Sequence, residues 1–276
     1  MKPTDTPPEP TPGSRAARVC GLREGRYFEA DDWVAEEIPV AFVYNGISHA
    51  VMLATPCDLE EFALGFSWTE GIIDSRDQVY DVELCTTDQG IEVRLEVASS
   101  CFARLKERRR SLAGRTGCGL CGTESLEQAC RRPSRVAPQV RFSATAIERA
   151  MSALRAHQTL QRLTGATHAA AWCGIDGGIV RVREDIGRHN ALDKLLGHLL
   201  HHGFDLGEGF VAVTSRASYE MVQKTAQAGI AMLAAISSVT SLAIEVARDA
   251  DVTLVGFARG SDLNVYHQAA RLQIGD

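Results

Sequence analysis

Apolar and polar residues alternate with two different periods along this chain, and the change of period divides it. In the first part, short β-type runs come in pairs. Runs 38–44 and 47–53 flank Asn45-Gly46, and Asn-Gly between apolar runs predicts a hairpin because both turn positions take positive φ. Thr55-Pro56 reads as a helix start, with Thr as N-cap and Pro at the first helical position. Leu59, Phe62, Phe66, Thr69 and Ile73 then recur at helical spacing behind Glu60 and Glu61. Runs 79–86 and 91–97 predict a second strand pair. Arg131-Arg132-Pro133-Ser134 reads as a break. Ser143 reads as the cap of a helix reaching about residue 163, with Ile147, Met151, Leu154 and Leu160 on its apolar face. Residues 1–20, which open rich in Pro, Thr and Glu, read as a disordered tail.

From residue 169 onward, strands alternate with helices. Runs 169–175 and 179–182 pair around Asp176-Gly177-Gly178, and a helix over 190–202 stops at Gly203. Strand 210–214, helix 218–228, strand 230–236, helix 240–249 and strand 252–257 follow. Such alternation predicts crossover connections and a largely parallel sheet covered on both faces. The fold class is therefore α/β: a three-layer α/β/α domain over 136–276 behind a smaller α+β subdomain over 21–135. In such sheets ligands collect at strand carboxyl ends and helix amino ends. Polar clusters at 184–190, 215–218, 237–240 and 257–262 fall at those points, so four loops are expected along one edge.

Composition narrows the function. At 276 residues, 45% hydrophobic and 23% charged, the chain fits a soluble globular protein with a substantial core. A net charge of −6 gives no general attraction to nucleic acid or anionic membrane, and neither is expected as a partner. No apolar run approaches the roughly 20 residues of a membrane helix, and no secretory-type stretch follows Met1. A cytoplasmic location with reduced thiols is expected. Cys20, Cys57, Cys85, Cys101, Cys130 and Cys173 lack metal-ligand spacing and read as buried free thiols.

Cys118 and Cys121 stand apart, among Gly114, Gly117, Gly119 and Gly122, just after the basic run 104–110. Glycine keeps such a loop mobile and its thiols reachable, and positive charge favours the reactive thiolate. A structural zinc site needs four ligands, and no second Cys-x-x-Cys exists; Cys130 and His49 could be recruited, but nothing in their spacing demands it. A thioredoxin-like site would lie between a strand and the helix it opens. What remains is a nucleophilic or sulfur-carrying thiol, with the second cysteine able to resolve a persulfide as a disulfide. The basic run reads either as a solvated helix face around Glu107 or as a docking patch. At the sheet edge, Arg188 and His189 with Asp185 and Asn190 form a polar set that is costly to bury unused. Ser215, Arg216 and Ser218 read as a phosphate cradle or a plain helix cap, and Lys224 either reaches the same face or is exposed. Arg259 and Asp262 suit a phosphate and a guanine edge.

Four segments, 117–122, 184–194 (Glu-Asp-Ile-Gly-Arg-His-Asn-Ala-Leu-Asp-Lys), 218–224 and 254–260, resemble in this order the FdhD family of formate dehydrogenase accessory sulfurtransferases. The resemblance covers nearly the whole chain from about residue 30. It implies a cytidine-deaminase-like fold and a homodimer. It implies that a cysteine desulfurase supplies persulfide sulfur to Cys118, with Cys121 as the second thiol. The acceptor it implies is the bis(molybdopterin guanine dinucleotide) form of molybdenum cofactor, which formate dehydrogenase then receives. The family's cofactor-binding segment maps to Phe257, Ala258, Arg259, Gly260, Ser261 and Asp262. Ser215, where many members carry glycine, and Val239, where proline is common, depart from the pattern. Deaminase chemistry itself is not expected: His168 is followed by Ala169-Ala170-Ala171, without the glutamate of the zinc deaminases. A non-catalytic cofactor-binding chaperone for formate dehydrogenase is the alternative.

Overall fold

The computed structural model describes residues 11–112, 133–137 and 141–273, without the side chains of 108–112. Residues 14–20, read above as tail, belong to a strand. β1 (Ser14–Arg23) pairs antiparallel with β2 (Arg26–Ala35) over ten residues each. Charged side chains obscure the alternation there: Arg18 lies against Glu29 and Asp31 on one side, while half-buried Val19 and Ala30 share the other.

β3 (Ile38–Tyr44) and β4 (Ile47–Ala54) form the expected hairpin, with Asn45 and Gly46 at φ 45° and 80°. β5 (Val79–Thr87) and β6 (Gly90–Val97) form the second, and parallel pairing of β3 with β6 gives the order β4-β3-β6-β5. α1 (Leu59–Thr69) and α2 (Ser99–Leu112) supply Phe62, Ala63, Cys101 and Leu105 to a core with Phe42, Tyr44, Val93 and Leu95. α1 begins at Leu59 behind Asp58 (φ 53°), not at Thr55-Pro56, because Thr55 is fully buried in other contacts. α2 absorbs the whole basic run 104–110, and Arg104 bonds the Ile72 carbonyl and Asp74.

The hydroxyl of Ser143 accepts from the Ala146 N–H to start α3 (Ala144–His157). The single helix expected to 163 breaks at Gln158 and resumes as α4 (Thr159–Thr164). The break is stabilised by Glu184, whose carboxylate accepts from the N–H groups of Leu160 and Gln161. β7 (Phe142–Ser143) lies parallel to the last strand, β14 (Leu272–Gln273).

Between them lies the main sheet. It holds β8 (His168–Gly174), β9 (Ile179–Asp185), β10 (Gly209–Val213), β11 (Met232–Ala235), β12 (Thr253–Arg259) and β13 (Asp262–His267), in the order β13-β12-β11-β10-β8-β9. β10, β11 and β12 are parallel; the other pairings are antiparallel. The sheet is therefore mixed, not largely parallel, since tight turns fold β9 back on β8 and β13 back on β12. α5 (Arg188–His202), α6 (Tyr219–Gln227) and α7 (Ser241–Ala250) cover the face bearing Ala170, Trp172, Val211 and Leu233. α3 covers the opposite face, bearing Ala169, Ala171, Cys173, Phe210 and Ala212. The result is three layers.

α1 and α5 join the two parts of the molecule. A Cβ placed on Gly65 would lie 1.8 Å from the Asp193 carbonyl oxygen, and one on Gly197 would lie 1.8 Å from that of Glu61. The helices therefore cross with their backbones in contact, which glycine alone permits.

Candidate functional site

The parallel strands β10, β11 and β12 end side by side, and backbone hydrogen bonds lace together the loops that follow. Ile236 N donates to Val213 O (3.1 Å), Ala217 N to Ser238 O (3.0 Å), Thr240 N to Ala217 O (3.2 Å) and Phe257 N to Ser237 O (2.9 Å). Ala169 N donates to Thr214 Oγ1 (2.9 Å), and His168 opposes Asp185 across β8 and β9, which brings the start of α5 to the same edge. The four polar loops read from the sequence thus share one edge.

Arg188 and His189 open α5 there. His189 Nε2 lies 2.8 Å from Glu220 Oε2 in the first turn of α6. Its contact with His189, ahead of any opposing effect of burial, holds the Glu220 carboxyl below its ordinary range. Burial, then the neighbouring Arg188 guanidinium, holds His168 below an ordinary histidine. Arg188 Nε and Ser218 Oγ are buried and have no partner among the described residues. Ser218 occupies the N-cap position of α6, yet its hydroxyl makes no cap bond, so it is not a plain cap. Ser215 is buried and donates to the Arg216 carbonyl (3.0 Å), while Arg216 itself is exposed.

At the far side of the edge, Phe257 is 39% exposed and held at φ 52°. A left-handed aromatic residue stores roughly 1–3 kcal/mol of strain, and such strain concentrates at functional positions. Arg259 Nε donates to the Ile236 carbonyl (2.8 Å) from an exposed side chain. Gly260 and Ser261 turn the chain, and exposed Asp262 sits opposite Arg259 in the β12–β13 register. Ala258 is 2% exposed and packs in the core beneath α3, so its side chain does not face this edge. Val239 lies against β12, where a Cβ on Gly256 would come within 2.6 Å of it.

Three residues read as edge-forming lie elsewhere. Asp185 is fully buried: Oδ2 accepts from Thr55 N, Thr55 Oγ1 and Lys194 Nζ, the last at 2.7 Å, and Oδ1 accepts from Gly187 N and Asn190 Nδ2. Asn190 also donates to the Leu53 carbonyl (2.8 Å). Lys224 is buried, donating to Asp193 Oδ2 and Thr69 Oγ1, both at 2.9 Å, and to Glu70 at 3.2 Å. Burial alone would lower the Lys224 ammonium, but Asp193 and Glu70 more than offset it and hold its pKa above the ordinary value. These groups tie α1 and β4 to α5 and α6.

A third tie joins Glu61 to Arg183 and to His198 (Nδ1 to Oε1, 2.7 Å). Glu61, His198 and His202 converge as a metal site would. However, Arg183 occupies Glu61 and Arg181 Nε donates to His198 Nε2 (3.1 Å), so two guanidinium charges stand where a cation would bind. Cys101 and Cys173 are buried, and burial pushes the Cys173 thiol up to about 12. Cys20 is exposed and Cys57 and Cys85 are half-buried, contrary to the buried reading; Cys20 stands on the open side of the ribbon opposite Glu29. Cys118, Cys121 and Cys130 lie outside the described residues. The sequence reading placed neither Glu220 nor His168 at this edge. Glu220 was visible within the 218–224 motif, whereas His168 reaches the edge only through antiparallel pairing that sequence spacing does not reveal.

A mixed three-layer α/β/α fold, with arginines and unpartnered polar groups at the ends of its parallel strands, defines an α/β protein whose polar edge lies where ligands collect in such sheets. The chain belongs to the FdhD/NarQ family, whose profile matches residues 35–273. It is 58% identical over 255 residues to a sulfur carrier protein FdhD of Cupriavidus necator, covering 92% of this chain and 88% of the relative. A sulfur carrier protein FdhD of Variovorax paradoxus is 54% identical over 254 residues, covering 92% and 91%. A crystal structure from Desulfotalea psychrophila, described as that of a formate dehydrogenase accessory protein, superposes with a TM-score of 0.73. It shares 24% identity and covers 95% of this chain and 100% of its own.

Proposed function

We propose that this chain is a sulfurtransferase. It carries persulfide sulfur on Cys118 from a cysteine desulfurase to the bis(molybdopterin guanine dinucleotide) molybdenum cofactor, its acceptor substrate, before formate dehydrogenase receives that cofactor. The observation that carries the acceptor half of this reading is the pair of buried, unpartnered atoms, Arg188 Nε and Ser218 Oγ, at the shared edge. An unsatisfied buried polar group costs roughly 1–3 kcal/mol, and a phosphate oxygen would satisfy either one. Arg216 and Arg259 add charge for phosphates, and Phe257 and Asp262 offer a stacking face and an acceptor for a guanine. The sulfur half rests on the Cys118–Cys121 spacing and on the relatives' name.

The Cys118 thiolate attacks the outer sulfur of the donor persulfide. The donor S–S bond breaks, the donor thiolate leaves, and a new S–S bond holds the sulfur on Cys118. At the acceptor, Cys121 attacks Cys118 Sγ and frees the outer sulfur as sulfide. The resulting disulfide is reopened by a cellular dithiol. Incubation with a desulfurase and cysteine is expected to add one sulfur atom to Cys118, read by mass spectrometry. No adduct would refute the carrier role. A harmless Cys118→Ala substitution, with dehydrogenase activation intact, would point instead to a cofactor-holding chaperone. GDP is expected to raise the melting temperature, by an amount equivalent to about 2.7 kcal/mol at a hundredfold excess over Kd, and Arg188→Ala and Arg259→Ala to reduce that shift.

A further inference from the structure

α5 and α6 both begin at the shared edge, at Arg188 and Tyr219. Each carries a titratable group at its second position, His189 and Glu220, and these lie 2.8 Å apart. The helices do not need this pair to hold them together. One turn further on, buried Lys224 donates to buried Asp193 at 2.9 Å and joins the same two helices. His189 and Glu220 instead keep 28% and 33% of their side-chain surface in solvent, so protons can reach them. The charges around His189 are few. Arg188 precedes it on α5, His168 stands near both on β8, and Glu220 is the one carboxylate in contact with it among the described residues. Lys224 also acts on Glu220 but is committed to Asp193 and Glu70. With His189 neutral, Arg188 and Glu220 cancel and this corner holds no net charge. With His189 protonated it holds one positive charge.

We propose that His189, with Glu220 as its counter-ion, couples ligand binding at this edge to proton uptake: the phosphate-bearing ligand binds the protonated form and is released as pH rises. The coupling presupposes that such a ligand occupies the edge, as in the function proposed above. A phosphate at Arg188 Nε and Ser218 Oγ, beside His189, favours the charged imidazole over the neutral one. Linkage is reciprocal, so the charged imidazole favours the phosphate by the same factor. The proton comes from solvent and adds to the ring, and no bond in the ligand changes. Contact with His189 holds the Glu220 carboxyl below its ordinary range, so it stays ionised wherever a histidine titrates. The pair therefore switches at the imidazole alone, and Glu220 sets the pH at which it does so.

The test is calorimetric titration of the full chain with GDP-mannose, whose diphosphate is a diester of fixed charge near neutrality, from about pH 6 to about pH 8.5. Kd is expected to rise with pH, by up to about tenfold per unit for one coupled proton. The dependence of the heat on buffer ionisation is expected to show that proton entering the complex. His189→Gln is expected to flatten the profile. Glu220→Gln removes the counter-ion and is expected to keep the dependence but move it to lower pH. His168→Gln is expected to leave the profile above the ordinary histidine value of 6.5 unchanged, because His168 is already held below it. Binding without pH dependence, a profile that survives His189→Gln, one that Glu220→Gln moves to higher pH, or one that His168→Gln abolishes would overturn the proposal while the phosphate reading stands. No binding at any pH would remove the phosphate reading and this proposal with it.

Discussion

His168, His198 and His267 all sit below the ordinary histidine value of 6.5, chiefly through burial. As pH falls through 6.5 the unfolded chain takes up these protons before the folded one does. The stability they contribute is therefore present above pH 6.5 and is lost on acidification toward their folded values. The melting temperature is expected to begin falling from pH 6.5, well before the carboxylates near 4.5 titrate. A melting temperature flat until the carboxyl range would contradict this. At this scale the sequence located Arg188, His189, Arg216 and Arg259 at the sheet edge, because strand-to-helix junctions can be read from periodicity. It misplaced Asp185, Asn190 and Lys224, because their partners Thr55, Leu53 and Thr69 lie more than 100 residues away and no local pattern records them.

Among the elements, regular ones with clean periods were legible: the Asn45-Gly46 hairpin, β8 through β12, and α5 stopping at Gly203. The ribbon β1–β2 was hidden by its charges, β13 by the turn at Gly260, and the break at Gln158 by a cap, Glu184, supplied from β9. The α1–α5 crossing was equally invisible, since Gly65 and Gly197 lie 132 positions apart in sequence and no local pattern pairs them. Their contact makes a sharp test. A methyl group on Gly197 must push the helices apart, so Gly197→Ala is expected to cost at least the upper end of the roughly 1–3 kcal/mol of overpacking. Urea denaturation checks it; a loss no larger than the roughly 0.5 kcal/mol of a neutral surface change would argue that the helices are not in backbone contact.

Over the whole molecule, the run 184–194 that most resembles the FdhD family has a double role. Arg188 and His189 face the edge, while Asp185, Asn190, Asp193 and Lys194 are spent on holding α5 to the N-terminal part. Removing one partner of a buried ion pair costs roughly 3–5 kcal/mol, because the other charge stays buried. Lys194→Met is therefore expected to destabilise by that order, and joint replacement of Lys194 and Asp185 by apolar residues by less than the sum of the single changes. A double-mutant cycle in denaturant reads the difference.

The same ties are expected to hold the chain together after a single cut. Residues up to 112 and residues from 133 onward meet through the glycine crossing and three ionic clusters. Separating the pieces would take Glu61 from Arg183 and His198, Glu70 from Lys224, and Thr55 and Thr69 from Asp185 and Asp193. A protease site inserted between 112 and 133 is thus expected to yield two fragments that elute as one species and melt together. Fragments expressed separately should be poorly soluble and should regain a common transition when mixed, which would make the molecule a natural split protein.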